Sequence, residues 1–347
     1  METIWFCLVA VMIAAYVVFD GFDIGAGIIS LFAAKSDGEK RQVLSAIGPV
    51  WDGNEVWLLA AGGVLYFAFP KLYASSFAGF YLPLMMVLWL LMFRGIAIEL
   101  RNHIKNETWT PFCDAAFGGA SLLLAIFFGA ALGNVVRGVP LDARGDFFLP
   151  LWTNFNTGAE VGILDWYTIA VGVLAALTLT LHGALWIAYR VEGELAERAQ
   201  KISRGAWLGV LLMTVVVTIA TFAIQPVVLA SFADRPWGYI FPILAVAGLI
   251  GVLLFGRYQG EELKTFLASC LFIVGMLTSA VQGVYPYVLP SNTNPSLGLT
   301  IFNAAAPEYG QRVGLIWWTP GMLLVAGYFI FAYSRLSGKI RLGEGGH

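Results

Sequence analysis

The feature that most constrains this sequence is a series of apolar runs, each long enough to cross a membrane. A spanning helix needs about 20 mostly apolar residues, and no run shows the period-2 alternation of a membrane β-strand. The predicted spans are 3–34, 51–70, 74–98, 113–136, 161–189, 205–230, 238–256, 265–289 and 313–334. The chain is therefore predicted to be an all-α integral membrane protein of nine transmembrane helices, with a single membrane domain over residues 1–347.

Composition supports this class and excludes others. The chain is 59% hydrophobic and only 12% charged, whereas soluble domains carry about 25% charged residues. The formal net charge of −2 gives no indication of a nucleic-acid partner. Because the N-terminus has Glu2 and no basic residues, the first apolar run is predicted to be a retained span rather than a cleaved signal peptide.

The distribution of Lys and Arg predicts the orientation of the spans. With the N-terminus outside, 15 of the 20 basic residues fall in inner loops. The remaining five lie in outer loops: Lys71, Arg137, Arg144, Arg235 and Arg312. Cytoplasmic loops of membrane proteins are enriched in Lys and Arg. The N-terminus is therefore predicted to be outside and the C-terminus cytoplasmic, which requires an odd number of spans.

Two carboxylates interrupt the first span. Asp20 and Asp23 are three residues apart, so they share one face of a helix. Counting from Lys35 at 1.5 Å per residue places Asp23 roughly 18 Å and Asp20 roughly 22 Å from the inner end. Ionisable groups at this depth are usually functional. They are candidates for a proton path or a cation site, and the alternative is a hydrogen bond between helices that fixes packing.

A second polar cluster opens the second span. Asp52 and Glu55 are again three residues apart, and Trp51 and Asn54 stand beside them. Acidic residues in a first helical turn also complement the helix dipole, which would be a structural role. Since the first two spans are antiparallel neighbours, we expect Asp52 and Glu55 near the cytoplasmic surface and the two aspartates of the first span deeper, as a series of proton-path candidates.

Other polar residues receive weaker predictions. Arg94, Glu99 and Arg101 end the third span, and the sequence favours inner anchors plus an intrahelical pair. His182 is the only histidine within a predicted span. It is the one candidate for an internal haem ligand, although a lone histidine on an apolar helix is more often hydrogen-bonded to a neighbour. No metal site is expected.

The motifs resemble one family. The segments that carry the resemblance are Asp20-Gly-Phe-Asp-Ile-Gly25, Ile47-Gly-Pro-Val-Trp-Asp-Gly-Asn-Glu-Val-Trp-Leu58 and Pro286-Tyr-Val-Leu-Pro-Ser291. Together with their spacing, they are similar to subunit II of the cytochrome bd-type quinol oxidases, including the cyanide-insensitive variants. The resemblance covers essentially the full length.

This resemblance implies two four-helix bundles plus one peripheral helix in a bacterial cytoplasmic membrane. It implies a partner, subunit I, that carries haem b and haem d and oxidises quinol, while oxygen is reduced to water with cytoplasmic protons. Subunit II itself is expected to hold no cofactor and no catalytic residue. Residues matching Asp23 and Asp52 have been proposed to line a proton path. Small single-span subunits are further candidate partners.

Two other functions are compatible with the sequence. One is a cation-coupled secondary transporter, although the aspartate clusters have no counterparts in the second half of the chain. The other is a purely structural scaffold subunit without a role in proton transfer.

The short loop 231–237 leaves little room for a structural quinone.

Overall fold

The computed structural model describes residues 1–104, 106–158, 160–336 and 338–342. Within these ranges the chain forms twelve α-helices and one small antiparallel ribbon. The helices are α1 (Glu2–Ala33), α2 (Asp37–Ile47), α3 (Trp51–Ala68), α4 (Pro70–Gly79), α5 (Tyr81–Leu100), α6 (Trp109–Arg137), α7 (Trp166–Arg190), α8 (Glu194–Ile224), α9 (Pro226–Asp234), α10 (Ile240–Phe255), α11 (Glu262–Val284) and α12 (Glu308–Ser334). The strands are β1 (Tyr287–Leu289) and β2 (Leu299–Thr300).

The prediction of an all-α membrane protein is confirmed. In the described part of the chain, eight helical segments are long and apolar enough to span a membrane, and the bent pair α3–α4 raises the number to nine. The pair bends by 120° where Pro70 opens α4, because proline lacks an N–H and pushes the preceding residue out of helical geometry. The predicted third span is corrected accordingly: α4 takes residues 70–79, and α5 begins at Tyr81.

A second boundary also differs from prediction. The sixth span was predicted to begin at residue 205, but α8 begins at Glu194 and includes the charged residues that follow it. Gly193, with φ of 87°, allows the sharp reversal between α7 and α8 because glycine tolerates positive φ. Helix α8 ends at Ile224, and Pro226 opens the short helix α9.

The spans pack as two groups of four. Helices α1, α3, α5 and α6 form the first bundle, and α7, α8, α10 and α11 form the second. Helices α1 and α6 both pack on α7, which joins the bundles. Helix α12 is peripheral and meets the first bundle through aromatic rings, such as Phe329 on Phe19 with centroids 4.9 Å apart.

The closest approach between the bundles depends on two glycines. A Cβ atom at Gly25 of α1 would overlap the carbonyl oxygen of Leu179, and a Cβ at Gly183 of α7 would overlap the backbone of Gly25. Small residues allow membrane helices to associate through close backbone contact. This crossing therefore holds α1 next to α7 at the level of the aspartates.

Two packed loops, one after α6 and one after α11, cover the same end of the two bundles. Strands β1 and β2 form an antiparallel hairpin, and Val139 bonds to its end, donating to the Pro290 carbonyl oxygen at 3.0 Å. Beneath the loops lies an apolar cluster that includes Leu141, Leu149 and Leu289. The loops thus form a cap over the outer ends rather than free connections.

The glycine crossing yields a stability prediction. Gly25→Ala should lower the thermal unfolding midpoint of the purified protein, because overpacking at a tight contact costs about 1–3 kcal/mol. Gly119→Ala on α6 is the matched control, since nothing lies within 4 Å of a Cβ built there. The midpoint is measured by size-exclusion chromatography after heating. Equal midpoints for the two variants would contradict this account of the crossing.

Candidate functional site

The centre of the first bundle holds a buried ion pair. Arg94 of α5 donates Nη1–H to Asp20 Oδ2 at 2.9 Å and Nη2–H to Asp20 Oδ1. Both residues are 0% exposed. A bidentate pair satisfies both carboxylate oxygens and fixes the angle between the two groups. The interaction ties α1 to α5 through two hydrogen bonds to one carboxylate.

This pair differs from the sequence prediction for Arg94. The sequence favoured an anchor at the inner membrane surface and an intrahelical pair on α5. Arg94 instead lies one and a half turns inside the end of α5, with its guanidinium turned into the bundle. Its sequence position near other charges concealed this, because the partner is 74 residues away on another helix.

The second aspartate belongs to a chain of hydrogen bonds that reaches α12. Asn54 Nδ2 donates to Asp23 Oδ2 at 2.8 Å, and Tyr333 Oη donates to Asn54 Oδ1 at 2.8 Å. The Asn54 amide also donates to the Phe19 carbonyl oxygen, so its orientation is fixed from both sides. Asp23 Oδ1 is buried and has no hydrogen-bond partner among the described residues. Asp23 is therefore held on one oxygen and unsatisfied on the other.

The two carboxylates of α3 are more open. Asp52 is exposed and Glu55 is half-buried, and neither has a hydrogen-bond partner within the described ranges. Glu55 interacts electrostatically with Arg94, Asp20 and Asp52. The four carboxylates thus run from an exposed group through a half-buried one to two fully buried ones.

Their depths are closer together than the sequence suggested. Asn54, only three residues into α3, bonds to Asp23, which lies ten residues before the end of α1. At 1.5 Å per residue, α1 extends about 10 Å further toward the cytoplasm than the start of α3. Helix α2 occupies this extra length, with Val43, Ala46 and Ile47 buried. Along the helix axis, Asp52 therefore lies only about 3 Å from the level of Asp23.

The neighbouring polar residues form the inner boundary of the site. Trp51 is buried, with its ring 3.7 Å from a Cβ built on Gly95 of α5. Arg101 pairs with Asp37 at 2.8 Å and with Asp114 at 2.6 Å, instead of with Glu99. Glu99 is exposed at the end of α5.

Charge in this inner network is stabilised by pairing. Partial burial opposes ionisation of Asp37, but hydrogen bonds and charge from Arg101 and Arg41 outweigh it and lower the pKa of the carboxyl. Lys40 completes the network with an ion pair to Asp114 at 2.8 Å. The network joins α2, α5 and α6 at the end of the molecule where α5 ends and α6 begins.

His182 is fully buried in the second bundle. Its Nε2 lies 2.9 Å from the Val18 carbonyl oxygen, and its Nδ1 lies 2.7 Å from Ser269 Oγ. The ring stacks on Phe266 with centroids 4.7 Å apart. Haem iron would have to displace one of these partners. Within the described ranges, no three His, Cys, Asp or Glu side chains are grouped to hold a metal.

Sequence reasoning missed two features of the polar network. Arg137 and Asp165 form a buried ion pair between the outer ends of α6 and α7, and Asn134 accepts from Arg137 at 2.7 Å. Opposite charges at the facing ends of consecutive spans were an available signal. Tyr333 was also missed, because nothing in an apolar helix distinguishes a hydrogen-bonded tyrosine from one at the interface.

The fold and site together define a multi-pass membrane protein with ionisable side chains buried between its spans. The chain belongs to the cytochrome bd terminal oxidase subunit II family, whose sequence profile matches residues 1–336. It is thus subunit II of a membrane oxidoreductase complex and has a partner subunit I.

Individual relatives agree with this family. "Probable cytochrome oxidase subunit 2" of Haemophilus influenzae is 29% identical, covering 97% of this chain and 94% of that protein. "Cytochrome bd-I ubiquinol oxidase subunit 2" of Escherichia coli K12 is 28% identical with the same coverage. "Cytochrome bd ubiquinol oxidase subunit 2" of Bacillus subtilis is 30% identical, covering 90% of this chain and 89% of that protein.

A solved structure shares the fold. A chain in the structure of bd oxidase from Geobacillus thermodenitrificans superposes with a TM-score of 0.75, covering 97% of this chain and 99% of that chain. Sequence identity is 18%, so this likeness concerns the fold alone.

The buried ion pair leads to a testable prediction. Asp20→Asn leaves Arg94 charged, buried and unpaired, which should destabilise the protein by about 3–5 kcal/mol. The double variant Asp20→Asn with Arg94→Gln removes both charges and should recover part of that loss in thermal unfolding. Glu308→Gln is the control, because its partner Arg312 is exposed and such pairs contribute about 0.3–0.5 kcal/mol. A double variant no more stable than Asp20→Asn would argue against the pairing.

Proposed function

We propose that this subunit stabilises the haem-carrying subunit I and contributes a cytoplasmic proton path for the reduction of oxygen to water by a quinol oxidase. The observation that carries the proposal is the graded series of carboxylates in the first bundle. Asp52 is exposed, Glu55 is half-buried, and Asp23 and Asp20 are fully buried. Ionisable groups at membrane depth that face one another are characteristic of proton relays.

The carboxylates differ in their suitability as proton carriers. A carrier must exchange its proton, but both carboxylate oxygens of Asp20 already accept hydrogen bonds from Arg94. Asp23 has one unsatisfied buried oxygen, which a proton or a water molecule would satisfy. We therefore assign proton exchange to Asp52, Glu55 and Asp23, and we assign to the Asp20–Arg94 pair the role of a fixed charge beside the path.

The open side of α3 supports contact with a partner. Few residues of α3 and α5 are buried within this chain, although an ionised Asp52 exposed to lipid would be strongly unfavourable. Cover by protein or by protein-bound water removes that cost. We infer that subunit I lies against α3 and α5, so that protons leaving Glu55 and Asp23 enter the haem subunit.

The haems are assigned to subunit I. His182 has a hydrogen-bonding partner for each ring nitrogen within the chain, which favours a structural role over ligation. When bound in subunit I, the haems supply the electron transfer and oxygen chemistry of the complex. This chain contributes packing and carboxylates, and no step of the redox reaction is assigned to it.

A scaffold without a proton role is the second candidate. It is favoured by the same Asp23–Asn54–Tyr333 chain of hydrogen bonds, because such a chain also fixes helix packing. Haem content separates the two functions, since a packing residue should affect assembly and activity together. A cation-coupled transporter receives no support from the family to which the chain belongs.

The proton path predicts the behaviour of two variants. Asp23→Asn and Asp52→Asn should each slow oxygen consumption by the purified complex about tenfold or more. The reason is that each variant removes a positioned proton-transfer group. Haem content, measured by the reduced-minus-oxidised spectrum, should stay normal. Glu99→Gln, an exposed carboxylate at the end of α5, is the control. Parallel loss of haem and activity would instead identify the aspartates as assembly residues.

Orientation gives a separate prediction. We infer that the protein lies in the bacterial cytoplasmic membrane with its N-terminus outside and its C-terminus inside. A reporter enzyme that is active only in the cytoplasm, fused after residue 347, should be active. A reporter that is active only in the periplasm should be silent at the same position, and the reverse result would overturn the orientation of the proton path.

A further inference from the structure

A cavity of about 380 Å³ lies between α7, α8, α10 and α11, away from the carboxylates of the first bundle. It is located at the inner end of the second bundle, where α7 and α10 end and α8 and α11 begin. Its size falls within the range of small-molecule sites in proteins. No step of the proposed proton path uses it.

The wall of the cavity changes character with depth. Leu185, Trp207 and Val252 line it on the side toward the membrane interior. Arg257 lies two residues beyond the end of α10, and Arg204 lies three residues nearer the start of α8 than Trp207. Both therefore line the cavity toward the side where the positive-inside distribution places the cytoplasmic surface. A ligand that fits this wall has an apolar part and an anionic part.

The two arginines lack partners within the described chain. Neither guanidinium forms a hydrogen bond or an ion pair there, and both side chains are exposed. Other arginines at the same end are paired: Arg101 with Asp37 and Asp114, and Arg198 with Glu39 and Glu194. Two unpaired guanidinium groups at one cavity are therefore a local departure from the charge pairing of this surface.

One acidic residue also lines the cavity, but its charge is partly offset. Glu262, the first residue of α11, lies 3.7 Å from Lys339. The remaining charge of the cavity is positive. The buried hydroxyls of Ser203 and Thr265 donate to nearby backbone carbonyl oxygens of Gln200 and Glu261, so their protons are already used within the protein.

We propose that this cavity binds a glycerophospholipid with an anionic headgroup. The guanidinium groups of Arg204 and Arg257 hold the phosphate, because the planar fork of arginine matches phosphate oxygens. An acyl chain lies along Leu185, Val252 and Leu253 and continues into the bilayer. Basic pockets between transmembrane helices on the cytoplasmic side commonly bind lipid headgroups. Inorganic phosphate shares the headgroup chemistry but has no apolar part that would contact the apolar wall.

The test is native mass spectrometry of the detergent-solubilised oxidase complex, titrated with phosphatidylglycerol or with phosphatidylcholine of the same acyl chains. The wild-type complex should bind phosphatidylglycerol more tightly than phosphatidylcholine. Arg204→Gln with Arg257→Gln should weaken phosphatidylglycerol binding about 25-fold, or about fivefold for each basic group near the surface. Binding of phosphatidylcholine should not change between the two proteins.

Lys201→Gln is the matched control. Lys201 is exposed on the same helix, three residues before Arg204, and does not line the cavity. Its substitution removes the same charge and should leave lipid affinity within about twofold, which corresponds to a long-range effect screened by salt. An equal loss in Lys201→Gln would indicate general surface attraction and would overturn the site.

Two further outcomes would also overturn the proposal. Displacement of phosphatidylglycerol by inorganic phosphate at an equal concentration would identify a free-phosphate site rather than a lipid site. Equal affinity for the two lipids would show that the arginines do not select charge. The haem spectrum and elution volume of the double variant should match the wild type, because neither arginine has a structural partner in the described chain.

Discussion

The structure depends on the cost of holding charge inside a membrane. Asp20 and Arg94 are both fully buried, and either one alone would be strongly unfavourable in that environment. Direct bidentate pairing makes the arrangement tolerable only if α1 and α5 keep a fixed relation. The pair therefore acts as a geometric constraint on the first bundle, whatever its net contribution to the free energy of unfolding.

The other contacts of α1 are consistent with this constraint. The Gly25–Gly183 crossing brings α7 against the opposite side of α1, where His182 meets the Val18 carbonyl oxygen. Asn54 then reaches Asp23 from α3, and Tyr333 reaches Asn54 from α12. Helix α1 thereby has polar contacts with α3, α5 and α7, and α12 joins the network through Asn54. Such networks specify a unique packing when fully satisfied. Among the described residues, Asp23 Oδ1 and Arg94 Nε are buried atoms of this network without a hydrogen-bond partner.

The two ends of the molecule differ in how their charged side chains are arranged and exposed. At the outer end, Arg137 and Asp165 are buried and surrounded by backbone and amide partners, so the charges are confined to a closed structural unit. At the inner end, carboxylates range from exposed to buried on neighbouring helices. In the proposed function, this gradient of exposure is the route by which a proton enters, whereas the closed Arg137–Asp165 pair offers no such route.

Much of this protein was predictable from the sequence by itself. The all-α class and the order of the spans follow from apolar run length, because transfer of a segment into lipid depends on that segment's own composition. The Asp-Gly-Phe-Asp and Trp-Asp-Gly-Asn motifs indicated both the family and the region of the site. Only the tertiary structure decided that Asp20 pairs with Arg94 and that Tyr333 bonds to Asn54, 279 residues away in the chain. The physical reason is that lipid-facing and protein-facing surfaces of a membrane helix are both apolar, so composition does not reveal which faces meet.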